Sequence, residues 1–373
     1  MKNNQIIFSI LTIATLLTLI GCNQATSDNE IISIGAIAPL TGNNAHYGIE
    51  EQRIAEMALA NVNTAWAEKK MTLNIQWEDG ACDSKNAANA AHKLIDIDKV
   101  QIIYGGLCDT ETLATAPIAE EANTLLFSSS GSPKITTAGN FVFRNWPSDA
   151  FQGEKIAELA NELSFTTVAM ITEQQDYPLS ISKVFQEKFE IIGGTTIEEI
   201  YLSEENDLKP QLTKLNNHHP SVFFINAQTP IKSEIILKQM QDLGIQGPFL
   251  LNDVAGTNSE FIKKFTDYLE GSYTATPYIN LDSEKFKALQ TEYQTIHGEA
   301  IVLLDRAAAT YDAIQILAQA IETAGNSGIA IQSYLNDFTG YNGLMGHTDF
   351  DANGDTTNGH SIYRISEGTL HLQ

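Results

Sequence analysis

Ile32-Ser33-Ile34-Gly35-Ala36-Ile37 opens the stretch that decides the fold, because it is a short apolar run that reads as a buried strand. Gly48–Asn63 follows, with Ile54, Ala58 and Val62 on one face at helical spacing. Leu73-Asn74-Ile75-Gln76-Trp77-Glu78 alternates apolar with polar residues, as a half-buried strand does. Asp83–Ile95 returns to helical spacing, with Asp83 or Ser84 as its N-cap. Val100–Gly105 is a strand, Thr110–Asn123 a helix and Thr124–Ser128 a strand. Strands that alternate with helices build a parallel sheet covered on both faces.

The pattern restarts near Phe143-Arg144-Asn145-Trp146-Pro147. Asp149–Leu163 reads as helix, Thr167–Ile171 as strand and Leu179–Ile192 as a helix closed by Gly193-Gly194. Thr196–Tyr201, Leu208–Asn216, Ser221–Asn226, Ile231–Leu243 and Pro248–Leu251 continue the alternation. Two successive α/β units predict two similar lobes. Long helical patterns follow at Ser283–Thr295, Leu304–Ala324 and Ala330–Phe338, then strand-like Thr348–Asp351 and His360–Ile365.

Composition sets the outer limits. A chain of 373 residues with 43% hydrophobic and 18% charged residues has enough apolar material for two or three domains. Its formal charge of −24 repels phosphate and argues against a nucleic-acid partner. Residues 1–21 read as a secretory signal: Lys2 supplies the positive end, and Ile6–Ile20 is apolar apart from Ser9 and three threonines. That stretch is short for a membrane span of about 20 residues. It ends Leu19-Ile20-Gly21-Cys22, which resembles a bacterial lipobox, in which the cysteine is lipidated and becomes the first mature residue. The bland alternative is a plain signal with a chance cysteine. Residues 22–30 are polar and suit a tether, so Cys22 would anchor the chain to a membrane face without a spanning helix. Export places Cys82 and Cys108 in an oxidising compartment, where they form a natural disulfide pair; two buried thiols are the alternative.

Several motifs in order then resemble one family. They are Ile34–Gly42 (IGAIAPLTG) with Tyr47-Gly48, Asp79-Gly80-Ala81-Cys82-Asp83, Gly105-Gly106-Leu107-Cys108, Phe127–Pro133, Phe143–Gly153, Leu237–Gly244 and Phe350–Asp355. The chain is similar to type I periplasmic binding proteins of the Leu/Ile/Val-binding kind, from about Ile31 to Ile365. The resemblance implies an α/β fold of two doubly wound parallel-sheet lobes joined by a three-crossing hinge. Lobe 1 is expected at 31–145 plus 277–343, and lobe 2 at 146–276 plus 344–373. A ligand in the cleft would close the lobes about the hinge.

The resemblance also carries over candidate site residues. Asp109 stands where branched-chain relatives have a serine that holds the ligand carboxylate. An ionised Asp109 would repel that carboxylate, so Asp109 either caps the helix starting there, contacts the ligand, or does both. Thr110 offers a substitute hydroxyl. The turn Ser128–Ser132 matches the segment that grips the ligand, with a carbonyl from Ser130 and a hydroxyl and N–H from Ser132; capping serines are the plainer reading. Tyr47 and Tyr177 occupy matching aromatic positions, as pocket lining or as packing. Asp253 falls where relatives bind the ligand ammonium, or else forms an Asx turn. Gln228 lies close to a further pocket position. With Asp109 and Asp253 contributed by opposite lobes and no arginine evident as a carboxylate clamp, the expected ligand is cationic or rich in amide.

Catalysis is not expected. The chain has no G-x-S-x-G elbow, no H-E-x-x-H and no phosphate loop. His218-His219 reads as a solvated helix end. Asp351-Ala352-Asn353-Gly354-Asp355 reads as a turn between strands, since it lacks the distant glutamate of a calcium loop. No metal and no cofactor are expected. The leading expectation is a lipid-anchored substrate-binding component of an ABC importer, partnered by permease subunits. The alternative is a ligand-sensing or regulatory lipoprotein of the same fold.

Overall fold

The computed structural model describes residues 29–373. The signal at 1–21, the lipidation site Cys22 and most of the 22–30 tether lie outside the described residues.

Two sheets organise the chain. The first contains β1 (Glu30–Ala38), β2 (Met71–Asp79), β3 (Ile102–Gly105), β4 (Leu125–Ser128) and β5 (Val142–Arg144), all parallel, in the order β2-β1-β3-β4-β5. Three helices connect them: α1 (Ala45–Trp66), α2 (Ser84–His92) and α3 (Asp109–Ala122). The N-cap of α2 is Asp83, whose carboxylate accepts from the amides of Lys85 and Asn86 at 3.0 and 2.9 Å.

The second sheet repeats this winding. Its members are β6 (Thr167–Glu173), β7 (Thr195–Tyr201), β8 (Val222–Asn226), β9 (Phe249–Leu251) and β10 (Tyr273–Pro277). The helices α4 (Asp149–Glu162), α5 (Asp176–Ile191), α6 (Lys209–Asn216), α7 (Pro230–Asp242), α8 (Asp253–Gly256), α9 (Ser259–Lys264) and α10 (Thr266–Leu269) surround it. After α11 (Glu284–His297), α12 (Leu304–Ala324) and α13 (Gly328–Asn336), the hairpin β11 (Tyr341–Gly343) and β12 (Gly346–Thr348) precedes β13 (His360–Ser366) and β14 (Thr369–Leu372). The second sheet runs β14-β13-β10-β9-β8-β6-β7, with β13 antiparallel to both of its neighbours, β10 and β14, and the other pairings parallel. The parallel part follows the first sheet's order, with β6 in the place of β1.

The inner parallel strands β3, β4, β8 and β9 are buried on both faces, which is why they read as apolar runs. On the first sheet, Ala55, Ala58 and Val62 of α1 pack with Ile314, Leu317 and Ile321 of α12 on one face. Ala87, Ala91 and Ala116 of α2 and α3 cover the other with Ile37, Ile103 and Leu126. On the second sheet, α4 and α5 cover one face and α6 to α10 the other.

The chain crosses between the sheets after β5, after β10 and before β13. Residues 344–355 stay with the first sheet, beyond the expected boundary at 343. Leu344 and Met345 pack with Ile54, Trp146 and Phe286. Phe350 meets Phe127 and Phe143 edge-on at 5.8 and 5.5 Å. Asp355 pairs with Arg144, the last residue of β5. The turn at Asp351–Asp355 is closed by its own atoms, with the Asp351 carboxylate accepting from the amides of Asn353 and Asp355. No described helix is long and apolar enough to cross a membrane.

Candidate functional site

In a doubly wound sheet the loops leaving the carboxyl ends of strands diverge where the strand order reverses, and ligands bind in the crevice that opens there. The first sheet reverses between β1 and β3, the second between β6 and β8. Loops from both points line one cavity of about 470 Å³, a volume suited to a small solute.

At the first reversal, Gly105 adopts φ +106°, and a Cβ there would lie 2.2 Å from the Ile37 carbonyl oxygen, so only glycine fits. The chain then presents Leu107, Cys108, Asp109 and Thr110 to the cavity. Cys82 and Cys108 are joined as a disulfide with Cα atoms 5.3 Å apart, and both line the cavity. Behind them the buried Glu111 carboxylate accepts from the Cys82 amide at 3.0 Å and the Cys108 amide at 3.2 Å. Burial pushes its pKa up to about 7. The Thr110 hydroxyl donates to the Cys82 carbonyl at 3.0 Å. Cys82, Cys108 and Glu111 form a cluster of potential metal-ligand atoms among the described residues. Its sulfurs are bonded to each other and its carboxylate is held by two amides, so those donors are already engaged.

Tyr47, buried on α1, donates to the Gln228 carbonyl oxygen at 3.4 Å. This bond reaches from the first sheet's loops to those of the second.

At the second reversal, Glu173 accepts from the Gln228 amide at 2.8 Å. The Tyr177 hydroxyl is shared between an Asp253 carboxylate oxygen and Gln152 Oε1, the latter at 3.2 Å. Burial raises the Tyr47 and Tyr177 hydroxyl pKa values, so both remain donors at neutral pH. Asp253 opens α8, and the cap there is its neighbour Asn252, which accepts from the Ala255 amide at 3.4 Å. Asp253 is therefore left to face the cavity.

A third group comes from α12. Asp305 accepts from the Thr276 hydroxyl at 2.9 Å, and burial, reinforced by the Asp253 charge, pushes its pKa up to about 6. The guanidinium carbon of Arg306 lies 3.5 Å from the centroid of a Trp146 ring, and its Nη1 donates to the Ser129 carbonyl at 2.5 Å.

The cavity thus brings together Tyr47, Asp109, Thr110, Tyr177 and Asp253. Ser130 and Ser132 are buried but do not line it; Gly131 between them does. Their carbonyls accept from Arg144 Nη1 at 3.3 and 2.8 Å, and the Ser130 hydroxyl donates to Asp109. The turn positions Asp109 and offers the cavity neither serine. Arg144 reaches it because both nitrogens of its fork are fixed on Asp355, Nε at 2.7 Å and Nη2 at 2.9 Å.

The sequence shows no arginine evident as a carboxylate clamp, and the structure brings Arg306 to the cavity lining. Asp149 and Asp305 are further lining residues that the sequence motifs did not single out. Asp305 and Arg306 had a signal, since a charged pair opens the otherwise apolar run Ala307–Ala309. Gln228 lines the cavity as well.

Comparison with known proteins follows the same outline. A family model described as periplasmic binding protein matches residues 31–369. The leucine-, isoleucine-, valine-, threonine- and alanine-binding protein of Pseudomonas aeruginosa is 26% identical over 336 residues, covering 88% of each chain. The crystal structure of a leucine-binding protein from Thermotoga maritima is 27% identical, with a TM-score of 0.80, covering 92% of this chain and 97% of that one. A solute-binding protein from Rhodopseudomonas palustris, solved with 3,4-dihydroxybenzoic acid, is 20% identical with a TM-score of 0.79, covering 92% and 95%. This last likeness is one of fold.

Proposed function

The chain belongs to the periplasmic binding protein family, whose members bind solutes and are not enzymes, and from that premise we propose that it is the substrate-binding component of an ABC importer. It captures a small amino-acid-like solute, cationic or bearing an amide, and delivers it to permease subunits. The observation that carries this reading is the single cavity lined from both strand-order reversals, with Tyr47 of one half bonded to Gln228 of the other. A ligand that touches both walls binds the closed arrangement more tightly than the open one, and that difference in affinity drives closure. A transporter can then tell loaded from empty.

Two finer assignments belong to the same proposal. Cys22 carries a lipid that tethers the exported domain to the membrane. The chain divides into lobes at the three crossings, with residues 344–355 assigned to the first lobe.

The test is a thermal-shift screen of the untethered domain against the twenty amino acids, polyamines, guanidino compounds and short amides. A ligand at about 100 times its dissociation constant stabilises by roughly 2.7 kcal/mol. The expected result is a shift with an ammonium- or amide-bearing solute that disappears in Asp253→Ala. Silence across the panel from a folded, ligand-free protein overturns the importer reading in favour of a regulatory lipoprotein.

A further inference from the structure

Charge is unevenly spread around the cavity. Six carboxylates line it, from Asp109, Asp149, Glu173, Asp176, Asp253 and Asp305. Against them stand Arg306 and Lys232, and the Lys232 ammonium is taken by the Glu205 carbonyl and Asn206 Oδ1 at 2.8 and 2.9 Å. Arg306 lines the cavity, held on Trp146 and by one nitrogen on the Ser129 carbonyl.

Asp149 is the group that existing bonds do not explain. It is 2% exposed, and its Oδ1 has no hydrogen-bond partner. It lies tight against the turn at Gly131, where a Cβ would come within 2.0 Å of that oxygen. Its amide donates to the Gly131 carbonyl at 2.8 Å, which fixes the residue at the start of α4. A buried carboxylate oxygen without a donor is costly. An apolar side chain placed against it would leave that cost in place, whereas a cation would remove it.

Asp109 faces the same space from α3, already holding the Ser130 hydroxyl. The charges acting on this pair come from every element around it: Arg144 at the end of β5, Asp176 on α5, Asp253 on α8 and Arg306 on α12. Burial raises the pKa of both carboxyls, and the Asp109 charge raises that of Asp149 further. Two carboxylates in one buried space favour sharing a proton, and a further cation beside them favours its release.

We propose that the cognate solute is a diamino or guanidino acid, with its carboxylate on Arg306, its α-ammonium on Asp253 and its distal cation between Asp109 and Asp149. This rests on the solute-binding reading above and narrows it to one charge pattern. The empty pair retains a proton, which the distal cation displaces. Binding therefore releases a proton and weakens as pH falls.

Isothermal titration of the domain with L-lysine, L-ornithine, L-arginine and L-leucine tests this, in buffers of differing ionisation enthalpy near pH 8 and near pH 5. The expected result is a basic amino acid bound at least about tenfold more tightly than leucine, with proton release, and weaker at the lower pH. Asp149→Asn and Asp109→Asn, both close in shape to the native residue, are each expected to cut that preference about tenfold. Leucine binding more tightly than every basic amino acid overturns the inference and leaves the solute-binding reading intact. A basic amino acid bound without proton release, and indifferent to both substitutions, also overturns it. No heat from any of the four, with no thermal shift across the wider panel, overturns both readings.

Discussion

The two strand-order reversals have the same winding but are braced by different chemistry. The first is pinned from behind by covalent and ionic links. These are the Cys82–Cys108 disulfide, the Glu111 carboxylate on both cysteine amides, and the buried Arg144–Asp355 pair that holds the 128–132 turn. The second has one carboxylate brace, Glu173 on the Gln228 amide, and is otherwise held by neutral groups that satisfy one another. Asn226 donates to the Pro178 carbonyl at 2.7 Å, and Asn252 to Asn226 Oδ1 and the Ala227 carbonyl at 3.1 and 2.8 Å. The lesson is a division of labour. One wall is fixed before a ligand arrives, and Asp149, from the start of α4, stands unsatisfied against its turn at Gly131. The other already bonds its acid, Asp253, to Tyr177, so a ligand there competes with an internal bond.

If the first wall is pinned by charge, breaking that pin has the largest effect. Arg144→Met leaves Asp355 uncompensated beside a fully buried site. Unpairing a buried ion pair in this way costs about 3–5 kcal/mol. The same substitution frees the Ser130 and Ser132 carbonyls, so ligand affinity falls as well. On the second wall, Asn226→Ala strands neutral partners and is expected to cost about 1–3 kcal/mol. Urea unfolding of the two variants checks the order. Equal costs, or a smaller one for Arg144→Met, break the contrast between the walls.

Both foundations were legible in the sequence to different depths. The alternating strands and helices of both sheets stand out because each element is buried on one stripe or two faces. One inner strand of the second sheet, β10, does not. β10 reads Tyr-Thr-Ala-Thr-Pro, and its two threonines are buried, Thr276 with its hydroxyl on Asp305, so no hydrophobic run marks it. The site divides in the same way. Tyr47, Asp109, Thr110, Tyr177 and Asp253 sit in the first turns of helices that follow strands, where local order predicts the cavity. Asp149 and Arg306 begin long helices far along the chain, and only the crossings bring them to the cleft. Ser130 and Ser132 show the converse case, buried beside the cavity without lining it. A serine-rich loop beside a cleft looks like a ligand grip, but Arg144 claims its carbonyls from the other side.

A pH series sharpens the contrast at intermediate size. Burial raises Glu50 and Glu111 to about 7 and Asp305 and Asp312 to about 6, all on helices packed against the first sheet. Their folded-state pKa values lie above the ordinary carboxylate values. Their stabilising contribution is therefore complete below about pH 4 and is lost as pH rises through 6 to 7. His360, at the start of β13, has the opposite sign. Burial lowers it to about 3, so its contribution is complete above its ordinary value of 6.5 and is lost as pH falls toward 3. Four acids outweigh one histidine between pH 5 and 8, and Tm is expected to drop by about 2 °C or more across that range. All three tryptophans, Trp66, Trp77 and Trp146, pack in clusters on the first sheet's side. The drop should therefore appear earlier in tryptophan fluorescence than in far-ultraviolet dichroism. Coincident shifts mean that the two halves unfold as one unit.

The smallest expected effect isolates the covalent part of the first wall. Asp83 caps α2 immediately after Cys82, with its carboxylate on the Lys85 and Asn86 amides. Asp83→Ala removes an exposed cap and should cost about 1 kcal/mol. Cys82 is held independently by the disulfide and by Glu111, so loosening the helix behind it should not reach Asp109. Ligand affinity is then unchanged within about twofold, while the unfolding midpoint falls. A loss of affinity near tenfold in this variant means that the cap, and not only the disulfide and its carboxylate, sets the position of Asp109. The first wall would then be a continuous helix-to-cleft support, and the contrast with the second wall would lie in its extent rather than in its chemistry.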